Sequence, residues 1–250
     1  MHMLLMVGLM LLFFFVSITF ICLYRDKLDT HIWNLAFVLA DIVFFFCWNY
    51  ASDQYGWLAD GFMTLENISP LMFTLIPLTY FMKDGVKDYC FSAIAFLSFG
   101  MFCAMMISPE HAYLFNFNEE ASFLYTSEAA CHMLCAVFGI YLVMSNQVKP
   151  NFTQWIKSIV FMYSIISFGV VLNFVFHKKF FGMDPYGDYS IYFLDIFGSF
   201  TTTLIAYYLG VMVVLTLGMQ MCYLMDKASK KHDKAELLPS LEEEIKNGNA

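Results

Sequence analysis

Charged residues are scarce in this chain, and their scarcity excludes the soluble protein classes. Only 14% of the 250 residues are charged, whereas 60% are hydrophobic and 19% are aromatic. A soluble domain has about 25% charged and about 45–50% apolar residues. The composition therefore predicts an integral membrane protein whose outer side chains face lipid.

Two further shortages exclude other classes. The chain has 13 Lys and Arg against 21 Asp and Glu, a net charge of −8, which argues against nucleic-acid binding. Its 7 cysteines are few and scattered, which argues against a secreted, disulfide-held scaffold. Walker, dinucleotide-binding and HExxH motifs are missing, as are internal repeats. We therefore expect no cofactor, and membrane lipids as the partners.

Seven apolar runs remain between the charged residues. A helix needs about 20 apolar residues to cross a bilayer, and runs of this length without alternation indicate helices. We predict an all-α, polytopic bundle of seven transmembrane helices over residues 1–225, and a charged, partly disordered cytoplasmic tail over 226–250. The predicted spans are about 4–24, 31–50, 67–82, 89–107, 123–145, 155–176 and 199–224.

Basic residues are missing from two of the predicted connections. The connections after spans 2 and 4 contain no Lys or Arg, whereas 11 of the 13 basic residues flank the alternate connections or lie in the tail. Lys178 and Lys179 are the remaining two. Because Lys and Arg concentrate in cytoplasmic loops, we predict an outer N-terminus and a cytoplasmic C-terminus, in the bacterial plasma membrane.

A few polar residues fall inside or beside the predicted spans. An ionisable side chain there costs about 2.5–3.5 kcal/mol on insertion scales and usually faces a cavity or a partner. We expect these residues to line one outward-facing pocket. They are Asp41 in span 2, Glu128 and His132 in span 5, Asn173 in span 6, and Asp195 before span 7.

Span 5 contains the densest group of these residues. Glu128, Cys131, His132 and Cys135 are spaced i, i+3, i+4 and i+7, which places them on one helix face. Three interpretations are open: a structural Glu–His pair, a general base at His132 assisted by Glu128, and a metal site. The metal site is the weakest, because one helix rarely supplies a full ligand set. We expect the Asp41 carboxyl to pair with His132 or with a hydroxyl of a neighbouring helix.

Span 3 contributes Thr74 and Pro77. A proline clashes with the carbonyl four residues earlier, here that of Phe73, so we expect a bend beside Thr74. A single threonine in a membrane helix is more often a hydrogen-bonding group than a nucleophile.

Two stretches carry a resemblance to a known family. The run from Glu128 to Leu142, EAACHMLCAVFGIYL, resembles the His-containing helix of the YwaF-like integral membrane proteins and their eukaryotic transmembrane acyltransferase relatives. Leu172-Asn173 and the segment from Ser190 to Gly198 resemble the family's later signature. The resemblance covers roughly residues 60–220 and implies seven helices.

The chain departs from this family at two positions of one motif. Members carry a Leu-Pro-x-His-x-Cys element, and the acyltransferases are thought to use its Cys with the later His. The corresponding stretch here is Ser69-Pro70-Leu71-Met72-Phe73-Thr74, so Met72 stands in place of the His and Thr74 in place of the Cys. The resemblance then implies a Thr–His pair, as in androgen-induced lipid hydrolases, or a fold that has lost catalysis.

These observations lead to one first hypothesis, a lipid acyltransferase or ester hydrolase. Thr74 attacks the acyl carbonyl, His132 takes the proton, and Glu128 or Asp41 orients the imidazole. Asn173 or a helix-end amide stabilises the oxyanion, and Asp195 binds or orients. The alternatives are a non-enzymatic binding or assembly component and, more weakly, a small transporter, since inverted repeats are not evident.

Overall fold

The computed structural model describes residues 2–24, 27, 29–54, 68–107, 122–177, 180–183 and 199–246. This part of the chain is all-helical, in agreement with the predicted fold class. It contains seven α-helices and one 3₁₀ turn, Phe180–Gly182. The helices are α1 (His2–Tyr24), α2 (Thr30–Gln54), α3 (Ile68–Leu78), α4 (Asp84–Ile107), α5 (Ser122–Met144), α6 (Phe152–Phe176) and α7 (Phe200–Lys246).

Four stretches of helix in the described residues are long and apolar enough to cross a membrane. Two shorter apolar helices, Gly8–Tyr24 and Ile68–Leu78, accompany them. These helices support an integral membrane protein, as the composition predicted. The four stretches are Thr30–Gln54, Thr126–Met144, Phe152–Phe176 and Phe200–Ala228.

Helix α3 is shorter than the span predicted over 67–82. It ends at Leu78, one residue after Pro77, and the chain then turns. The amide of Tyr80 donates to the carbonyl of Pro77 at 3.2 Å, and that of Phe81 donates to the carbonyl of Leu78 at 3.0 Å. Pro77 lies in the last turn of the helix, and its ring nitrogen has no hydrogen to donate to the carbonyl of Phe73.

Helix α7 continues across the predicted boundary at residue 226. Ser199 caps its start, since the amide of Thr202 donates to the Ser199 hydroxyl at 3.2 Å. Its 47 residues reach about 70 Å at 1.5 Å per residue, which is more than twice the thickness of a hydrocarbon core. The juxtamembrane part of the tail is therefore a helical extension of the last apolar helix.

Helices α5 and α4 form the centre of the bundle. The first three helices pack around α5, while α6 and α7 pack on α4. Every side chain of α5 from Cys131 to Val143 is buried. By contrast, large apolar side chains on the outer helices are mostly exposed, such as Phe15 at 61%, Phe46 at 71% and Leu217 at 61%. An exposed apolar surface of this kind suits a lipid environment.

Small residues allow the central helices to approach closely. A Cβ added at Gly139 of α5 would lie 2.6 Å from the Cβ of Ser98 on α4. One added at Gly218 of α7 would lie only 1.8 Å from the backbone oxygen of Phe96 on α4. Close contact at small residues is the usual packing of membrane helices, where dispersion replaces the hydrophobic effect.

Candidate functional site

Aromatic contacts set the register between α2 and α5. The rings of Trp33 and Tyr141 lie 5.4 Å apart, and those of Phe37 and Phe138 lie 4.9 Å apart. Residue numbers rise along α2 as they fall along α5, so the two helices run antiparallel. One turn beyond Phe37, this register brings Asp41 level with the turn of α5 from Cys131 to Cys135. We call this contact the α2–α5 seam.

Asp41 is fully enclosed in the seam. Its exposed fraction is 0%, and neither carboxyl oxygen has a hydrogen-bond partner among the residues that the structure describes. The carboxyl lies close enough to the Cys131 and Cys135 thiols to interact with both electrostatically. A buried polar group without a partner costs about 1–3 kcal/mol, and more when it is charged. Burying Asp41 at this place therefore costs free energy, as its position inside an apolar span indicated.

His132 lies on the same face of α5 and is held by its own helix. Its Nδ1 is 2.9 Å from the backbone oxygen of Glu128. Because a carbonyl oxygen only accepts, Nδ1 must carry a hydrogen and donate it. In the neutral ring the lone pair then resides on Nε2, which makes Nε2 the basic nitrogen. We predicted that the Glu128 carboxyl or Asp41 orients the imidazole, whereas in the structure the backbone oxygen of Glu128 holds it.

Helix α3 reaches His132 through Phe73. The two rings meet edge to face, with centroids 5.0 Å apart and planes at 82°. Phe73 also contacts Trp48 of α2 at 5.7 Å, so one ring joins three helices. Phe73 was not among the site residues predicted from the sequence. Its position directly before Thr74 was the only signal available.

Thr74 is half-buried and bonded within its own helix. Its hydroxyl donates to the backbone oxygen of Pro70 at 3.0 Å. A hydroxyl has one proton to donate, so in this conformation that proton is directed at Pro70. Proton transfer from Thr74 to His132 therefore requires the threonine side chain to rotate first.

Asn173 holds a turn. Its amide nitrogen donates to the backbone oxygens of Phe180 at 3.0 Å and Met183 at 2.6 Å, and its oxygen accepts from the Phe180 amide at 2.7 Å. Both amide hydrogens are thereby used. Helix α6 packs mainly against α4 and α7. Asn173 therefore stabilises the segment after α6 and does not offer its amide to a site around His132.

Two predictions remain, the site residue Asp195 and a metal site. Asp195 lies outside the described residues. Among those that are described, no group of three or more His, Cys, Asp and Glu side chains could hold a metal ion. All seven cysteines have free thiols, and Cys135 lies 3.3 Å from the hydroxyl of Ser98. The α2–α5 seam with Phe73 is thus the candidate site.

Two more buried polar groups lie on the same face of α2 as Asp41. Trp48 and Ser52 follow Asp41 by seven and eleven residues, on the same helix face. The Trp48 indole nitrogen and the Ser52 hydroxyl are buried and lack a hydrogen-bond partner among the described residues. The heptad spacing from Asp41 was a signal in the sequence that could have identified them.

Comparisons with protein-family models, curated proteins and solved structures find no match to this chain. The YwaF-like assignment stays a prediction from the sequence stretches around His132, Asn173 and Asp195.

Proposed function

We propose that the chain is a seven-span protein of the YwaF-like family in the bacterial plasma membrane, with an outer N-terminus and a cytoplasmic C-terminus. Seven helices in the described residues and the one-sided distribution of Lys and Arg support this topology. Reporter fusions after residues 54, 107 and 250 test it. An enzyme active only outside the cytoplasm should work at the first two junctions and fail at the third. Activity at residue 250 would overturn the topology.

On this scaffold we propose lipid acyl transfer or ester hydrolysis by Thr74 and His132. The observation that carries the proposal is the His132 tautomer, because the hydrogen bond from Nδ1 to the Glu128 carbonyl leaves Nε2 as a base. The ring is positioned by Phe73, and Phe73 is covalently joined to Thr74. The proposed base, His132, and the proposed nucleophile, Thr74, thus lie on neighbouring helices, α5 and α3.

The proposed chemistry has two steps. After rotating away from Pro70, the Thr74 hydroxyl attacks the acyl carbonyl carbon and passes its proton to Nε2 of His132. The ester C–O bond breaks, and the leaving alcohol takes that proton. Water then cleaves the acyl-threonine in a hydrolase, or the hydroxyl of a second lipid does so in a transferase. His132 accepts the proton of the second nucleophile and returns it to the threonine oxygen.

A fluorophosphonate probe tests the nucleophile in the full-length protein. Wild type should be labelled, and Thr74→Ala should lose the label. Thr79→Ala is the matched control, because Thr79 lies just beyond the same helix and its hydroxyl donates to the Ile76 oxygen at 2.6 Å. It should retain the label. Equal labelling of wild type and Thr74→Ala would overturn the covalent mechanism.

One observation favours a second function, a non-enzymatic binding or assembly component. The Thr74 hydroxyl donates to Pro70 within its own helix, as structural threonines of membrane helices do. In that case the probe labels no variant, while a substrate-like lipid ester still raises the thermal midpoint of the wild-type protein. Labelling that depends on Thr74 excludes this alternative.

A further inference from the structure

One face of α2 carries three buried polar groups in one row. They are the Asp41 carboxyl, the Trp48 indole nitrogen and the Ser52 hydroxyl, in residues exposed by 0%, 3% and 0%. All of these atoms lack a hydrogen-bond partner within the described part of the chain. Seven and four residues separate them, so they share one helix face. At a rise of 1.5 Å per residue, Trp48 lies about 10 Å from Asp41 along the helix axis, and Ser52 lies about 6 Å from Trp48.

Such a row is unusual because the large majority of buried side-chain polar atoms are hydrogen-bonded. Each missing bond costs about 1–3 kcal/mol. An ordered water molecule in a buried polar site makes about three hydrogen bonds, and it can bridge groups that cannot reach each other. The row from Ser52 to Asp41 has the donors and acceptors that a file of water molecules requires.

The groups around Asp41 supply no positive counter-charge. On α5, the Cys131 and Cys135 thiols interact with it electrostatically, His132 lies in the same turn, and Glu128 lies one turn earlier. Cys47 on α2 also interacts with Cys131. Helix α3 has no ionisable side chain, and none of the helices α2, α3 and α5 contains Lys or Arg. The Nδ1–H group of His132 is used by the Glu128 carbonyl.

Aromatic rings close the other side of Asp41. One turn towards the start of α2, Phe37 contacts Phe138 at 4.9 Å and Tyr141 at 5.2 Å. Beyond them lies Trp33, whose buried indole nitrogen also has no partner among the described residues. Polar atoms therefore lie on both sides of a single apolar layer. Phe37 and Phe138 form the central contact of that layer, and we call this pair the Phe37–Phe138 barrier.

We propose that Asp41 is a proton-binding site, supplied by water along the Ser52–Trp48 row and separated from the other end of the seam by the Phe37–Phe138 barrier. Its ligand is a proton delivered by water, and the carboxyl is neutral while the proton is bound. Ionisable groups inside membrane bundles serve as proton carriers when water reaches them. A metal ion is not the ligand, because the described side chains do not form a metal-binding group. This proposal is independent of the Thr74–His132 chemistry.

Infrared spectroscopy of the full-length protein in lipid vesicles tests the bound proton. The difference spectrum between wild type and Asp41→Asn at neutral pH should contain the C=O band of a protonated carboxylic acid. Asparagine has nearly the same shape as the neutral acid, so the variant should fold. The band should shift after transfer into deuterated water, because the water row allows exchange. A difference spectrum with only carboxylate bands would overturn the proposal.

Proton permeability tests the barrier. Vesicles that contain the protein and a pH-sensitive dye receive an external acid pulse under a potassium–valinomycin clamp. Wild type should be tight, and Phe37→Ala or Phe138→Ala should leak. Adding Asp41→Asn to either variant should return the leak to the wild-type rate.

The control for this experiment is Phe14→Ala. It truncates a ring that stacks on Phe102 at 4.4 Å outside the seam. It should not leak. A leak that persists in Phe37→Ala/Asp41→Asn, or tight vesicles for correctly folded Phe37→Ala and Phe138→Ala, would show that protons do not pass through Asp41.

Discussion

The Nδ1–H group of His132 donates to the backbone oxygen of Glu128, one helical turn earlier, at 2.9 Å. This bond lies inside a single helix and does not depend on the packing of a second one. In this side-chain rotamer the imidazole is therefore held in one tautomer. The imidazole also meets the ring of Phe73 on α3 edge to face.

Replacing His132 by Asn separates the role of this bond from the role of the base. The amide nitrogen of asparagine can occupy the place of Nδ1 and keep the donor, whereas the basic Nε2 is lost. We expect His132→Asn to fold normally and to lose probe labelling by about 10²–10⁴-fold, the usual contribution of a general base. Labelling rates and thermal unfolding in detergent measure the two effects. Unchanged labelling would remove His132 from the mechanism.

Asn173 gives a second prediction. In Asn173→Asp, the oxygen that accepts from the Phe180 amide remains, but both donors to Phe180 and Met183 are lost. We expect the variant to lose about 1–3 kcal/mol of stability and to be cleaved faster by added protease near residues 177–183. Activity per folded molecule should not change. A large loss of activity without a change in thermal midpoint would return Asn173 to an oxyanion role.

Hydropathy predicted the helices well because the length of an apolar run is a local property. The run ending at Tyr24 and the one ending at Phe176 both stop where the helices α1 and α6 stop. The third span shows the limit, because hydropathy continues to residue 82 while helix α3 ends at Leu78. The chain then turns through local backbone hydrogen bonds, which a hydropathy average does not register.

The site was less predictable, because its roles depend on contacts between distant residues. Asp41 and His132 were identifiable, since a charged or titratable group in an apolar run is rare. The turn after α6 that uses both donors of Asn173 was not identifiable from composition. Nor was Phe73, since an aromatic residue has no distinctive spacing in a chain with 29 phenylalanines. Only the packing of α3 on α5 reveals it.

The contact between Gly139 and Ser98 predicts a compensating pair of substitutions. A Cβ at position 139 would lie 2.6 Å from the Ser98 Cβ and 2.7 Å from its Oγ. We expect Gly139→Ala to destabilise the protein by about 1–3 kcal/mol through overpacking. Adding Ser98→Gly removes both clashing atoms and should restore part of the loss. Thermal midpoints of the two single variants and the double variant measure the coupling, and purely additive effects would contradict the contact.

Among the described glycines, Gly218, where α7 crosses α4, should tolerate an added side chain least. A Cβ there would lie 1.8 Å from the Phe96 oxygen and 2.7 Å from its carbonyl carbon, and a backbone cannot move aside as a flexible side chain can. Gly218→Ala should therefore cost at least the 1–3 kcal/mol that is roughly typical of overpacking, and lower the thermal midpoint in detergent.

Gly210 of the same helix provides the matched control for Gly218. An added Cβ at position 210 meets nothing within 4 Å. Gly210→Ala should leave the midpoint unchanged or raise it, since alanine favours a helix over glycine by about 1 kcal/mol. Equal midpoints for Gly210→Ala and Gly218→Ala would mean that the backbone contact at Phe96 does not limit how closely α4 and α7 pack.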